Sequence, residues 1–116
     1  MQRISTLFGA ACLSCAAFFT PVQSAQSTML ASWYGPGFHG RLTANGEVYN
    51  QMGISAAHKT LPFGTKLRVC YEGCVELKIN DRGPYIGARE LDLSYGAAKA
   101  IGLVEPGVDY VSISYL

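Results

Sequence analysis

The stretch that most constrains this chain is 67–80, LRVCYEGCVELKIN. Apolar residues fall at every second position on both sides of Tyr71-Glu72-Gly73. That period belongs to strands with one buried face, and a glycine-bearing tight connection makes them a hairpin. Cys70 and Cys74 stand at the mouth of the turn, where two thiols can reach bonding distance. A disulfide is expected, contributing about 2 kcal/mol for so short a loop. Zinc is the rival reading. Two cysteines with no further Cys or His close by make an incomplete shell, so no metal and no cofactor are expected.

The remaining mature sequence has the same grain. STMLASWYG and VDYVSISYL read as opening and closing strands, and RELDLS as a short one between them. ISAAHKTLPFG is a short segment stopped by Pro62 and Gly64. SYGAAKAIG is a single short helix, with Ser94 as its N-cap and Gly102 as its stop. PGFHGRLTANGEVYNQMG is glycine-rich and polar, a long loop; such loops in compact domains usually carry function. Many short strands without helical crossovers predict a small barrel.

Residues 1–25 have another character. Arg3 precedes an apolar run, Ile4–Phe19, and Thr20-Pro21 then leads into small residues. That order is a secretory signal, with cleavage expected near Ser24 or Ala25. Cys12 and Cys15 leave a lipid anchor as a minority reading. The domain expected is 26–116, in the periplasm or at the cell wall, where a disulfide persists. Losing Arg3 balances the charge at eight basic and eight acidic residues. An even balance gives no reason to expect nucleic acid or anionic lipid as a partner. A neutral polymer such as a glycan fits at least as well.

The polar residues gather at strand ends and in the long loop: Glu47, His58, Asp81 and Asp92. Each alone has a bland reading. Glu47 is a solvated carboxylate, His58 a hydrogen-bonded structural histidine, Asp81 a turn acceptor or partner of Arg82, and Asp92 a helix cap. Together they sit where sites are built, among Trp33, Tyr34, Phe38, Tyr49, Phe63 and Tyr85. Carboxylates flanked by aromatics suit glycosidic-bond cleavage, in which one acid must hold a proton for the leaving oxygen.

Three blocks in order, ASWYGPGFHGRLTANGE, SAAHKTLPFGT and KINDRGPYIGARELDLSYGAAKAIGL, resemble the rare lipoprotein A family of septal-ring lytic transglycosylases, related in fold to expansins and barwin. The resemblance covers Ala31 to the C-terminus. It implies a six-stranded double-psi β-barrel with one or two short helices, acting on the glycan strands of peptidoglycan; a monomer is expected. The implied reaction cuts between N-acetylmuramic acid and N-acetylglucosamine and leaves 1,6-anhydro ends. By motif, Asp81 of NDRGP is the first candidate acid/base, with Glu47 of NGE and His58 of AAH as companions. Asp92 of DLS matches the critical aspartate of expansins and competes for the acid role. Trp33, Tyr34, Arg82 and Tyr85 are the substrate-binding candidates. Many members carry an extra peptidoglycan-binding domain, whereas a barrel alone is expected here. The 69–75 hairpin is shorter than the family's and carries the cysteine pair. Two other classes compete: a non-catalytic, expansin-like wall-loosening module and a barwin-type secreted protein. Two mature cysteines are too few for barwin's disulfide density.

Overall fold

The computed structural model describes residues 26–35 and 37–116. The expected signal, 1–25, lies outside the described residues. Six strands and one helix follow in order: β1 Gln26–Trp33, β2 Ser55–His58, β3 Lys66–Cys70, β4 Cys74–Asp81, β5 Leu91–Leu93, α1 Tyr95–Ile101 and β6 Asp109–Tyr115. The strands close into a barrel in the order β1-β5-β2-β4-β3-β6. β1 runs parallel to β5 and β2 parallel to β4, and the other four pairings are antiparallel. This mixed, closed, six-stranded sheet with one short helix is the double-psi barrel that the resemblance implies.

The hairpin forms at the register its alternation predicts. Leu67 pairs with Leu77, Val69 with Val75 and Cys70 with Cys74, and the two cysteines are disulfide-bonded across a Cα–Cα distance of 4.1 Å. Leu67, Val69 and Ile79 join Leu91, Leu93, Ile101, Leu103 and Ile113 in a fully buried core. The helix covers this core with Ala97, Ala98 and Ile101.

Ser94 caps α1 as expected. Its hydroxyl accepts from Ala97 N, and Gly102 ends the helix at φ 86°. Ser94 Oγ also accepts from Ser55 N and donates to Gly53 O, so one buried hydroxyl ties the helix to the segment entering β2. The cap of α1 is therefore Ser94 and not Asp92.

Gly96 shows how closely that segment approaches. A Cβ placed there would meet Met52 O at 2.6 Å and Gly53 O at 2.7 Å, and Gly96 N donates to Gln51 O. Gly→Ala within a helix ordinarily gains about 1 kcal/mol. At this position the two carbonyls must move, so Gly96→Ala should instead lower stability by about 1–3 kcal/mol in urea titration.

Candidate active site

The barrel's alternation decides where the acids point. Ala31 on β1, Leu91 and Leu93 on β5, and Ala56 on β2 face the core. Their neighbours Ser32, Asp92 and Ala57 therefore face outward. The register lines them up: Ser32 beside Asp92, Asp92 beside Ala57 and Ala57 beside Asp81. Asp81 joins this row through an irregularity. Ala56 pairs with Ile79, but the next residue, Ala57, pairs with Asp81, so Asn80 is an extra residue in β4. Strict alternation would point Asp81 the same way as core residue Ile79. The bulge turns it outward instead, a known use of bulges beside active sites.

Two acids thus flank one methyl group, with backbones roughly 10 Å apart at ordinary strand spacing. Their environments differ. Asp92 receives one side-chain hydrogen bond, from Ser32 Oγ at 3.1 Å. Burial pushes its carboxyl up to about 6; the Ser32 bond and the Arg89 charge pull against that shift, and the Asp81 charge adds to it. Asp81 accepts three bonds: from Tyr34 OH at 2.6 Å, Ala44 N at 2.8 Å and Arg82 N at 2.9 Å. Tyr34 is held far above the usual phenol range, by burial first and then by its bond to Asp81. Asp92 keeps its proton up to about pH 6, while Asp81 is held by three hydrogen-bond donors.

The long loop roofs this row with aromatic rings. Tyr34 stacks on Tyr49 at 4.6 Å and meets Phe38 edge-on at 5.6 Å. With Ala57, Tyr34 and Tyr49 form a small second core outside the barrel. Tyr49 OH also accepts from Tyr95 N at 3.3 Å, tying loop to helix. Beside this core opens a hollow of about 270 Å³, lined by Tyr34, Phe38, Arg41, Asp81, Tyr85 and Asp92 among others. Tyr85 stands on its rim, 73% exposed. Next to it lies a second hollow, lined by Trp33, Tyr34, Gln51 and Tyr95. Trp33 is fixed there, with Nε1 donating to Val104 O at 3.3 Å and its ring edge-on to Tyr95.

The other candidates lie elsewhere. Glu47 is exposed and lines a separate hollow with Lys78 and Asn80. It accepts from Asn80 Nδ2 at 2.9 Å, and bonds from Asn80 and Asn45, with the Lys78 charge, hold its carboxyl below the ordinary value. His58 Nδ1 accepts from Thr60 N and Leu61 N, each at 3.1 Å, so the imidazole closes the turn after β2. Burial, aided by Arg82 and Lys59 against Glu90, keeps it below the ordinary histidine value. Among the described residues neither side chain is hydrogen-bonded to Asp81 or Asp92. The Arg82 guanidinium braces carbonyls rather than a carboxylate, donating to Leu61 O at 2.9 Å and His58 O at 3.2 Å while lying over the Phe63 ring at 3.9 Å. Tyr34 lies largely beneath the surface as the donor to Asp81.

Ser32, Ala57 and Arg41 were not foreseen. Ser32 and Asp92 are 60 residues apart and meet through a parallel pairing that leaves no mark in local sequence. The alternation of LASWY, which sets Ser32 opposite in phase to Ala31 and Trp33, was the one available signal.

The family described as lytic transglycolase matches residues 26–113, all but the last two residues of the barrel's closing strand. The chain belongs to the lytic transglycolase family. Similar members include the probable endolytic peptidoglycan transglycosylase RlpA of Synechocystis sp., 56% identical over 87 residues, covering 72% of this chain and 27% of that protein. The endolytic peptidoglycan transglycosylase RlpA of Campylobacter jejuni is 48% identical over 90 residues, covering 75% of this chain and 33% of that one. The chain thus spans about a third or less of the length of these lytic transglycolase relatives. Among solved structures, the Streptomyces papain inhibitor superposes with a TM-score of 0.63 at 19% identity, over 79% of this chain and 94% of the inhibitor. An expansin of Clavibacter michiganensis gives 0.64 at 20%, over 79% and 50%. At these identities the two structures share the fold alone.

Proposed function

We propose that this barrel is the catalytic domain of an endolytic peptidoglycan lytic transglycosylase working outside the cytoplasmic membrane, with Asp92 as its general acid. The observation that carries the reading is the contrast across Ala57. Asp92, raised to about 6 by burial, opens into the same hollow as the triply hydrogen-bonded Asp81. A buried carboxyl that holds its proton more tightly than usual, beside a second carboxyl that accepts several hydrogen bonds, suits an acid and its charge-stabilising partner. The names of the similar RlpA proteins support the same reaction and the same polymer.

The steps balance without water. Asp92 gives its proton to the glycosidic oxygen as the bond from the muramyl anomeric carbon to that oxygen breaks. Positive charge builds on the anomeric carbon and ring oxygen, and Asp81 faces it across the hollow. The muramyl 6-hydroxyl then bonds to the anomeric carbon and its proton passes to the Asp92 carboxylate, restoring the acid. The products are a 1,6-anhydromuramyl end and a free 4-hydroxyl on N-acetylglucosamine. Because the nucleophile belongs to the substrate, the acids need not hold a water between them at glycosidase spacing. Tyr85 and Trp33 offer ring faces to neighbouring sugars along the two adjoining hollows. Glu47 and His58 act as positioning residues: Glu47 holds the bulge residue Asn80, and His58 closes the turn whose carbonyls fix Arg82 beside Asp81.

Incubation of the exported chain with peptide-stripped glycan strands tests this. Mass spectrometry should find 1,6-anhydromuramyl ends accumulating with time. Reducing muramyl ends instead would mean hydrolysis. Sedimentation with the polymer but no new ends would leave a glycan-holding barrel of the expansin kind.

A further inference from the structure

One residue makes the bulge that turns Asp81 outward, and the side chain of that residue does little for stability. Asn80 Nδ2 donates to the exposed Glu47 carboxylate at 2.9 Å. Its Oδ1 is buried without a partner, the one such side-chain atom among the described residues. Exchanging the two amide atoms is no cure: the oxygen would then face a carboxylate, and a buried N–H would be orphaned instead. A hydrogen bond at the surface adds little to a fold, whereas an orphaned buried acceptor costs it. Alanine would carry neither. The amide is therefore kept for something other than the stability of the barrel.

Its neighbours show what it holds. Residues 43–47 form a compact turn: Thr43 N donates to Glu47 O at 2.7 Å and Gly46 N to Thr43 O at 2.9 Å, and Asn45 Oδ1 accepts from Thr43 Oγ1 at 2.6 Å and Glu47 N at 3.1 Å. Three bonds fasten this turn to the end of β4. Asn45 N donates to Asn80 O at 3.2 Å, Asn80 Nδ2 to Glu47, and Ala44 N to Asp81 Oδ1 at 2.8 Å. Two of the three belong to Asn80 and the third to Asp81. A bulge is one unpaired residue, and moving it along the strand by one place flips the side chain that follows. At Asp81 that flip sends the carboxylate to the side of core residue Ile79. Whatever grips Asn80 decides which way Asp81 points.

We propose that Asn80 is a positioning residue for Asp81: its amide clasps the 43–47 turn to the bulge and so keeps the Asp81 carboxylate facing the cleft. The inference rests on the transglycosylase reading above and names the group that holds the second acid in place. Asn80 itself touches no substrate. Without its amide the turn keeps only the two backbone donors, Ala44 N and Asn45 N, and the bulge is free to shift. Asp81 then spends time turned from the anomeric carbon, so turnover falls while the ring faces of Tyr85 and Trp33 go on holding sugar.

Asn80→Ala on peptide-stripped glycan is the test. Its kcat should fall about tenfold or more, since small misplacements of a reacting group are felt steeply, at an unchanged KM and with a urea midpoint no lower than that of the intact chain. By NMR, the Ala44 amide should exchange with deuterium about tenfold faster, while amides of the β3–β4 ladder keep their rates. Asn80→Asp removes the donor and sets a carboxylate against Glu47. Its activity relative to the intact chain should be low at about pH 7 and recover toward about pH 5, where one proton shared by the two carboxyls restores the donor. A kcat that survives Asn80→Ala, a fall in kcat matched by a lower urea midpoint, or a relative activity of Asn80→Asp that ignores pH overturns the proposal. If the intact chain yields no anhydro ends, the reaction reading fails independently. The Ala44 exchange rate then decides the clasp alone: faster exchange in Asn80→Ala upholds it, and an unchanged rate overturns it.

Discussion

Asp92→Asn is expected to slow turnover severely and to make the protein more stable at neutral pH. The rate loss should be about 10²–10⁴-fold, the usual contribution of a positioned general acid. The gain in stability follows from the same burial. Asp92 ionises near 6 in the folded chain against an ordinary value of 3.8. At pH 3 both states hold the proton and the carboxyl costs the fold nothing. Between about 4 and 6 the unfolded chain ionises first, so stability falls as pH rises. Above 6 the full cost is present, about 1–2 kcal/mol once partial exposure is allowed for. An amide is never charged and can still accept from Ser32 Oγ. The variant should therefore match the parent in urea titrations at pH 3 and exceed it by about 1–2 kcal/mol at pH 7. Because the acid must hold its proton, kcat/KM of the parent should fall tenfold per pH unit above about 6. A variant that lost activity and also lost stability at pH 7 would mean that Asp92 supports the fold, and that the acid lies elsewhere.

The elements of this barrel were readable because their signals are local. The period of two on either side of Tyr71-Glu72-Gly73 gives the hairpin, its register and the Cys70–Cys74 pair. Ser94 and Gly102 bound the helix by chemistry that acts within one turn. The arrangement of the candidate residues was not legible: Asp81 and Asp92 line one hollow, whereas Glu47 lines another and His58 closes a turn. Whether Asp81 or Asp92 is the acid depends on what surrounds each, and those surroundings come from far along the chain: Ser32 from the parallel β1–β5 pair, Ala44 from the long loop. The bulge at Asn80 is the clearest case. Plain alternation through KINDR sends Asp81 to the core side, and only the β2–β4 pairing reveals the extra residue that turns it to the cleft. Arg82 beside Asp81 reads as an ion pair, yet its guanidinium reaches the turn carbonyls that His58 organises. Adjacent residues on a strand point apart, so neighbours in sequence are the last pairs to assume in contact.

Asp81→Ala is expected to give the opposite stability result, and comparing the two acids separates their roles. Asp81 accepts three bonds, one of them from a phenol that is only 8% exposed at Tyr34. Water can replace the carboxylate at Ala44 N and Arg82 N more readily than at Tyr34. The loss should be about 2–3 kcal/mol, most of it the cost of an unsatisfied buried hydroxyl. Tyr34→Phe alone should cost less, and adding it to Asp81→Ala should recover about 1 kcal/mol, since removing both partners leaves nothing unpaired. Turnover should fall by about 10²-fold or more, because the charge facing the anomeric carbon is gone. Residual activity carries a further signature. The Asp81 charge helps raise Asp92, so without it Asp92 ionises at lower pH and the alkaline limb of kcat/KM moves down the scale. A limb that stayed near 6 would mean that the two carboxyls do not sense one another across Ala57. An additive double mutant would mean that the Tyr34–Asp81 bond does not hold the acid in place.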